Sequence, residues 1–400
     1  MILRNAVAAS FALLFSGSAY AAQTAIPKDL IALDTHMDTP INFARRGWDI
    51  MDRHSYAEDL SQVDYPRMVA GRLSGGFFAI YTPQGPRTAE GYLAARDGAI
   101  LRATQIHEMV AKHSDKFELA FKADDAARIA KSGKRIVYMS IENSYPLGKD
   151  LSLLSAFYAL GVRMVGPVHF TNNDLADSAT DPKGPEWHGL SPLGKQMVAE
   201  ANRLGMILDA SHASDDVFDQ MLDLSGTPII LSHSGARDVF NHPRNIDDAR
   251  IAKLASKGGV IQINSLSDYL IKAPEIPERT AALRTLMEKT GPLRALDETG
   301  MRTYVVQRRA IEVKYPLPRA TFDDFMGHIL HALKIAGPEH VGVGLDWDGG
   351  GGVTGMEDVA DVHKITERLA AAGYSVNDIR NIWGGNVLRL LRAAEAKAAR

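Results

Sequence analysis

A histidine and an aspartate two residues apart, His36 and Asp38, close a short apolar run in "LDTHMDTP". In an extended chain, residues two apart face the same side. An imidazole and a carboxylate there can approach one cation together. Groups of the same kind close other apolar runs. Glu142 ends "KRIVYMSIE", His169 lies at the end of "GVRMVGPVHF", His212 follows "GMILDAS", His233 ends "TPIILSH" and Asp346 ends "HVGVGLD". Arg244 lies a little further on, in "HPRNIDD". One histidine at a strand end is more often a hydrogen-bonding loop residue than a ligand. Ligand-type residues at several separate strand ends point instead to a metal centre. With no cysteine in the chain, a transition metal must be held by imidazole and carboxylate, which suits zinc, iron or manganese. His36, Asp38, Glu142, His212 and His233 form a set suited to two zinc-like ions, and Glu142 has two oxygens with which to bridge them.

The elements that must position these groups are short buried runs over 31–36, 75–82, 134–142, 161–170, 205–211, 227–233, 258–264 and 340–346. Their Val, Ile and Leu content reads as strands buried on both faces, as in a parallel sheet. Helical patterns alternate with them. One covers 88–113. Another covers 191–205, with Ser191 as N-cap, Pro192 in the first turn and Gly205 as the stop. The alternation predicts an α/β fold, a (β/α)8 TIM barrel with helical insertions, in which strand ends converge on one mouth. A doubly wound sheet is the alternative, weakened by the lack of a glycine-rich phosphate loop after the first strand. Two stretches exceed what barrel loops need, 41–72 and 265–325; the second is predicted to be an insertion over the mouth or side of the barrel. Asp34 and Asp209 read as supports behind the ligands, Asp348 and the glycines after it as a flexible loop, and Asn386 as the N-cap of the final helix.

The first 25 residues, "MILRNAVAASFALLFSGSAYAAQTA", combine an arginine, a short apolar stretch and a small-x-small site. They predict a secretory signal peptide over 1–21, leaving a single barrel domain over 22–400. The expected location is outside the cytoplasm, in the periplasm or secreted, with no stable membrane anchor after cleavage. A net charge of −3 and the lack of a long basic run argue against a nucleic-acid partner.

Together the motifs resemble a known family. "LDTHMDTP", "SIEN", "HFTNNDLADS", "LDASHAS", "PIILSHSGAR", "HPRNIDD", "VGVGLDWDG" and "GYSVNDIRNIWGGNVLRLL" resemble, in order, the motifs of the membrane (renal) dipeptidases, the M19 metallopeptidases. The resemblance runs from about residue 30 to 392. It implies a zinc-dependent dipeptidase with two zinc ions per chain. His36 and Asp38 are similar to the ligands of the first ion, His212 and His233 to those of the second, and Glu142 to the shared carboxylate. His169 is similar to a histidine that binds the substrate and polarises its carbonyl. Arg244 is similar to the arginine that holds the substrate's carboxylate, and Asp346 to the aspartate beside the bridging water. The implied mechanism is attack by a metal-bridging hydroxide on a dipeptide, with a D-residue accepted at the C-terminal position by many members. A homodimer is a further implication. The chain departs from the family at "NSYPLG" after Glu142, and at "SLSDYL", where Leu266 stands near the place of a substrate-facing tyrosine and Tyr269 follows three residues on.

Two rivals stand beside this reading. Another binuclear barrel hydrolase, acting on lactones, cyclic amides or phosphotriesters, would often open with H-x-H and bridge through a modified lysine. The H-x-D pair and the available glutamate favour the dipeptidase. A non-catalytic exported binding protein should lack a ligand or Asp346, and all are present.

Overall fold

Every predicted apolar run contributes a strand, because each is too short for a helix and is followed by turn or helix-start residues. The computed structural model describes residue 27 and residues 29–398; the predicted signal peptide lies outside the described residues. Five strands form one parallel path: β1 (Leu33–Met37), β2 (Gly75–Ile80), β4 (Arg135–Ile141), β5 (Val162–Val165) and β6 (Ile207–Leu208). A second parallel sheet holds β7 (Ile230–Ser234), β8 (Val260–Ile263) and β9 (Val341–Val343). Parallel bridges Asp209↔Ile230 and Met37↔Trp347 join the sheets at both edges. The result is a TIM barrel, and Thr35 reinforces its closure by donating to the carbonyls of Ser232 and Val343. An unpredicted strand, β3 (Phe117–Leu119), pairs with the first residues of β4 before β5 takes over that edge.

The helices alternate as expected. Thr88 caps the helix Ala89–Lys112, and Ser191 caps Pro192–Leu204, which ends at Gly205 with φ +81°, a conformation glycine adopts without the Cβ penalty. The rear of the barrel interior is apolar. Leu33, Phe77, Tyr138, Met164, Ile207, Ile230 and Val260 meet Val387, Leu390 and Leu391 of the closing helix Asn386–Ala398. Asn386 is not that helix's N-cap: a π-turn over Asn381–Gly385 runs straight into it. Asn386 instead donates to the carbonyls of Pro338 and Val341, tying the helix to β9.

The 265–325 insertion settles at the side of the barrel. Its helices Pro277–Thr290 and Glu298–Lys314 enclose a small core of Leu286, Met301, Tyr304 and Val305, against which Leu60 packs. The two overlong stretches thus meet each other. Near the start of the insertion, Leu266 and Tyr269 line the pocket at the mouth.

Candidate metal centre and active site

Each predicted ligand stands at or just beyond the C-terminal end of its strand. His36 lies within β1, Glu142 directly follows β4, and His233 lies within β7. The two-residue alternation does not explain Asp38, because β1 ends at Met37 and Asp38 has already turned (φ −82°, ψ 9°) to open a 3-10 turn. Its carboxylate still comes within 3.4 Å of His36 Nε2. Glu142 is the centre of the cluster. Its Oε1 lies 2.9 Å from His212 Nε2, 3.4 Å from His169 Nε2, 3.5 Å from His233 Nε2 and 3.6 Å from His36 Nε2. Three overlapping sets each bring ligand atoms within 4.8 Å: His36–Glu142–His233, Glu142–His169–His212 and His36–Asp38–Asp346.

The electrostatics divide the imidazoles. Burial works against a charged His36, yet Glu142 and Asp38 outweigh it and hold its pKa up at about 10. Burial, with Arg244 and His169 beside it, pushes His212 well below the usual range; burial and His36 take His233 down to about 4. Glu142 is ionised: burial opposes that, but the His169 and His36 rings draw its pKa well below the ordinary value. Burial raises Asp38 and Asp346. The cluster therefore offers the Glu142 carboxylate and the lone pairs of His212 and His233, while His36 shares its proton with the carboxylates beside it. His36 Nε2, Asp38 Oδ1 and His212 Nδ1 are buried without hydrogen-bond partners among the described residues. Orphaned buried polar atoms of this kind are expensive unless something satisfies them. Divalent cations fit this donor set of imidazole and carboxylate.

Supports behind the cluster hold the ligand-bearing strands. Asp209 accepts from the backbone and hydroxyl of Ser211 and from those of Ser232, so one carboxylate pins the residues preceding both His212 and His233. Ser232 Oγ donates to Asp209 and lies 2.8 Å from His233 Nδ1. That leaves the hydroxyl's lone pairs for the ring, favours Nδ1–H and presents Nε2 as a bare lone pair. Asp34 joins β1 to the β9 end by accepting from the His36 and Leu345 amides, with its pKa pushed up by burial to about 7. Asp209→Asn replaces one acceptor with a donor. It is expected to weaken metal retention about 10- to 100-fold, measured by competition with a chromogenic chelator at unchanged circular dichroism.

A pocket of about 200 Å³ opens over the cluster, walled by Ile41, Tyr81, Phe170, Leu266 and Tyr269. Arg244, only 2% exposed, donates through Nη2 to the His233 carbonyl at 3.1 Å and lies 5.2 Å from the Tyr269 ring centroid. Its Nε and Nη1 are buried with no partner among the described residues. Asp346 has φ +64° and accepts from Asn264 Nδ2 at 3.2 Å. The glycine tract, expected to be a flexible loop, is exposed at Gly349 and Gly350 and buried from Gly351 to Val353. Asp348 accepts from Thr39 Oγ1 and the Gln62 amide. A Cβ on Gly349 would sit 2.2 Å from both Asp346 Oδ1 and Asp38 Oδ2.

A family model described as membrane dipeptidase, peptidase family M19, matches residues 21–400. The chain belongs to this family. It is therefore a metallopeptidase of the dipeptidase type. Among curated proteins, dipeptidase tcpJ of Claviceps purpurea is 33% identical over 355 residues, covering 87% of this chain and 73% of that protein. Among solved structures, the probable dipeptidase PvdM from Pseudomonas aeruginosa superposes with a TM-score of 0.78 at 31% identity, covering 92% of this chain and 96% of that one. A metallopeptidase from Rhodobacter sphaeroides, solved with a phosphinate mimic of the dipeptide L-Ala-D-Ala, shares the fold at a TM-score of 0.72 and 24% identity, covering 91% and 99%.

For this M19 chain, the sequence reading had picked out every member of the central cluster. It missed the wall residues Ile41, Tyr81 and Phe170, and the support from Asn264 and Gly349. An apolar residue beside a turn, or one glycine among four, carries no spacing signal. Their role comes only from where the loops fold.

Proposed function

We propose that the protein is a zinc-dependent dipeptidase holding two ions, with His36, Asp38, Glu142, His212 and His233 as ligands. The substrate is a small dipeptide with a free C-terminal carboxylate, a D-residue being accepted at that position. The observation that carries the reading is Glu142 Oε1 amid the Nε2 atoms of His36, His169, His212 and His233, at 2.9–3.6 Å. Two divalent cations bound there would lower the pKa of a shared water and supply a nucleophile near neutral pH.

The chain's own residues do the rest. Arg244 offers its unpartnered Nε and Nη1 to the terminal carboxylate in a fork-to-fork match, which fixes the distance to the scissile bond. His169 donates to the carbonyl oxygen as negative charge develops on it. Asp346, whose pKa burial raises, takes a proton from the attacking water and delivers it to the leaving amine. The hydrophobic walls exclude solvent from the charged cluster. We further propose that residues 1–21 are removed on export and that residues 22–400 act as one domain in the periplasm. Among the described residues, no helix is long and apolar enough to cross a membrane.

The test is hydrolysis of L,L and L,D dipeptides, L-Ala-D-Ala among them, by protein stripped with chelator and reloaded with zinc. Activity should vanish on stripping, return with zinc, and fail on dipeptide amides, which lack the carboxylate. Arg244→Lys should raise KM about tenfold or more, because a bidentate contact is lost, with a smaller change in kcat. No cleavage of any dipeptide by the zinc-loaded protein would sink the proposal. A large kcat loss at unchanged KM would remove Arg244 from the carboxylate role.

A further inference from the structure

On the face opposite the metal centre, at the N-terminal ends of β1, β2 and β4, lies a cleft of about 810 Å³. Ile31, Val69 and Ala130 give it an apolar floor, and Arg72, Lys131, Lys134 and Arg135 a cationic rim. Asp29 is the one acid among the lining residues, and both its oxygens already accept from Arg380 Nη2 at 2.9 Å. Two of the cations have ordinary explanations. Lys134 pairs with Glu118 at 3.1 Å, and Lys131 sits in the last turn of the helix Asp125–Lys131, where a cation suits the helix dipole.

Arg135 has no such explanation. The Arg135 side chain is half-buried, and its Nε is fully buried with no hydrogen-bond acceptor among the described residues. The Tyr65 ring covers the guanidinium with its centroid 5.8 Å away; a ring face accepts no in-plane N–H bond. Arg72 is exposed and has no ion-pair partner among the described residues. Its φ of +60° belongs to the end of the helix Tyr65–Ala70, where the Arg72 and Leu73 amides donate to the carbonyls of Val69 and Met68, and this turn projects Arg72 at the rim of the cleft. A part-buried guanidinium that has a ring face but no hydrogen-bond acceptor for its Nε, beside an apolar floor, suits an anion with an apolar body.

We propose that this rear cleft binds a phosphate monoester or diester bearing an apolar group. The phosphate is held by Arg135 and Arg72, whose planar forks match its oxygens, and the apolar part lies on Ile31, Val69 and Ala130. The site is separate from the dipeptidase chemistry, so binding there leaves the metal cluster free.

The probe is hexyl phosphate, titrated calorimetrically into the zinc-loaded protein, with phosphatidylglycerol–phosphatidylcholine vesicles as a second arm. Saturable binding is expected. It should weaken about tenfold in Arg72→Gln and in Arg135→Gln, persist when a dipeptide is in excess, and leave dipeptide hydrolysis unchanged in both variants. Arg72 is exposed, so its variant keeps the test readable if Arg135→Gln misfolds. Vesicle retention lost in Arg72→Gln would identify a lipid headgroup; binding of hexyl phosphate without vesicle retention would identify a soluble ester. Either outcome supports the site. Absence of binding, binding unaffected by Arg72→Gln, or binding displaced by dipeptide would overturn it.

Discussion

Glu142→Gln is expected to remove metal retention and dipeptide hydrolysis together, with kcat/KM falling by about three orders of magnitude or more. Substituting a residue that merely orients a ligand costs about 10- to 100-fold in metal affinity, and Glu142 is in the centre of the cluster. Its Oε1 is the nearest carboxylate oxygen to the Nε2 atoms of His212 and His169. A neutral amide keeps the shape but loses the charge that faces four imidazoles. It also turns NH2 donors, in one orientation, towards nitrogens that need a cation. Metal content by atomic spectroscopy and activity should fall in parallel, with far-UV circular dichroism unchanged. Full metal retention with activity lost would make Glu142 a catalytic group rather than a ligand.

The same substitution has a pH signature. In the metal-free protein, His36 is held up at about 10, burial opposing and Glu142 the largest factor raising it. The raised pKa means that the charged ring adds stability fully below its unfolded value near 6.5. That contribution is lost as pH rises through about 10. Metal must displace this proton, so apparent affinity should climb with pH over that range. Glu142→Gln removes the main source of the shift and should flatten the climb.

The legibility of the fold and the site follows from which forces are local. Buried strands were readable because burial on both faces demands runs of branched apolar residues, as in Ile229–Ile230–Leu231 and Val260–Ile261. The clustered histidines and carboxylates were readable because charged or ligating side chains at the ends of such runs are costly there without a purpose. β3 was not, since Phe117–Leu119 is too short to show a period. Asp38 reached the cluster by a different route from the one its spacing suggested. Alternation assumes that the strand continues, whereas Pro40 and the 3-10 turn over Thr39–Ala44 end it first. Asn386 misled for the opposite reason: an asparagine after two glycines reads as a helix start, but the π-turn over Asn381–Gly385 carries the helical backbone through them. The insertion's helical character was evident, but its docking partner, Leu60 and the small core around Leu286 and Tyr304, depends on a distant segment that no local pattern names.

Gly349→Ala should cut kcat/KM by about 100-fold or more while leaving the fold intact. Gly349 is not among the residues at positive φ, so alanine meets no backbone penalty, and the damage must come from its methyl group. That methyl would stand 2.2 Å from Asp346 Oδ1 and from Asp38 Oδ2, far inside contact distance. The backbone cannot easily retreat. The Gly349 amide donates to the Asp346 carbonyl, and its neighbour Asp348 is tied to Thr39 and to the Gln62 amide. The carboxylates must move instead, and a displacement of about 1 Å in a reacting group can cost about 100-fold. Overpacking of this kind costs about 1–3 kcal/mol in stability, so the melting temperature should drop modestly while activity collapses. Because Asp38 is the one proposed ligand struck, metal content should fall only partly. Full activity in Gly349→Ala would show that the tract yields, and that its close packing against the two aspartates has no part in catalysis.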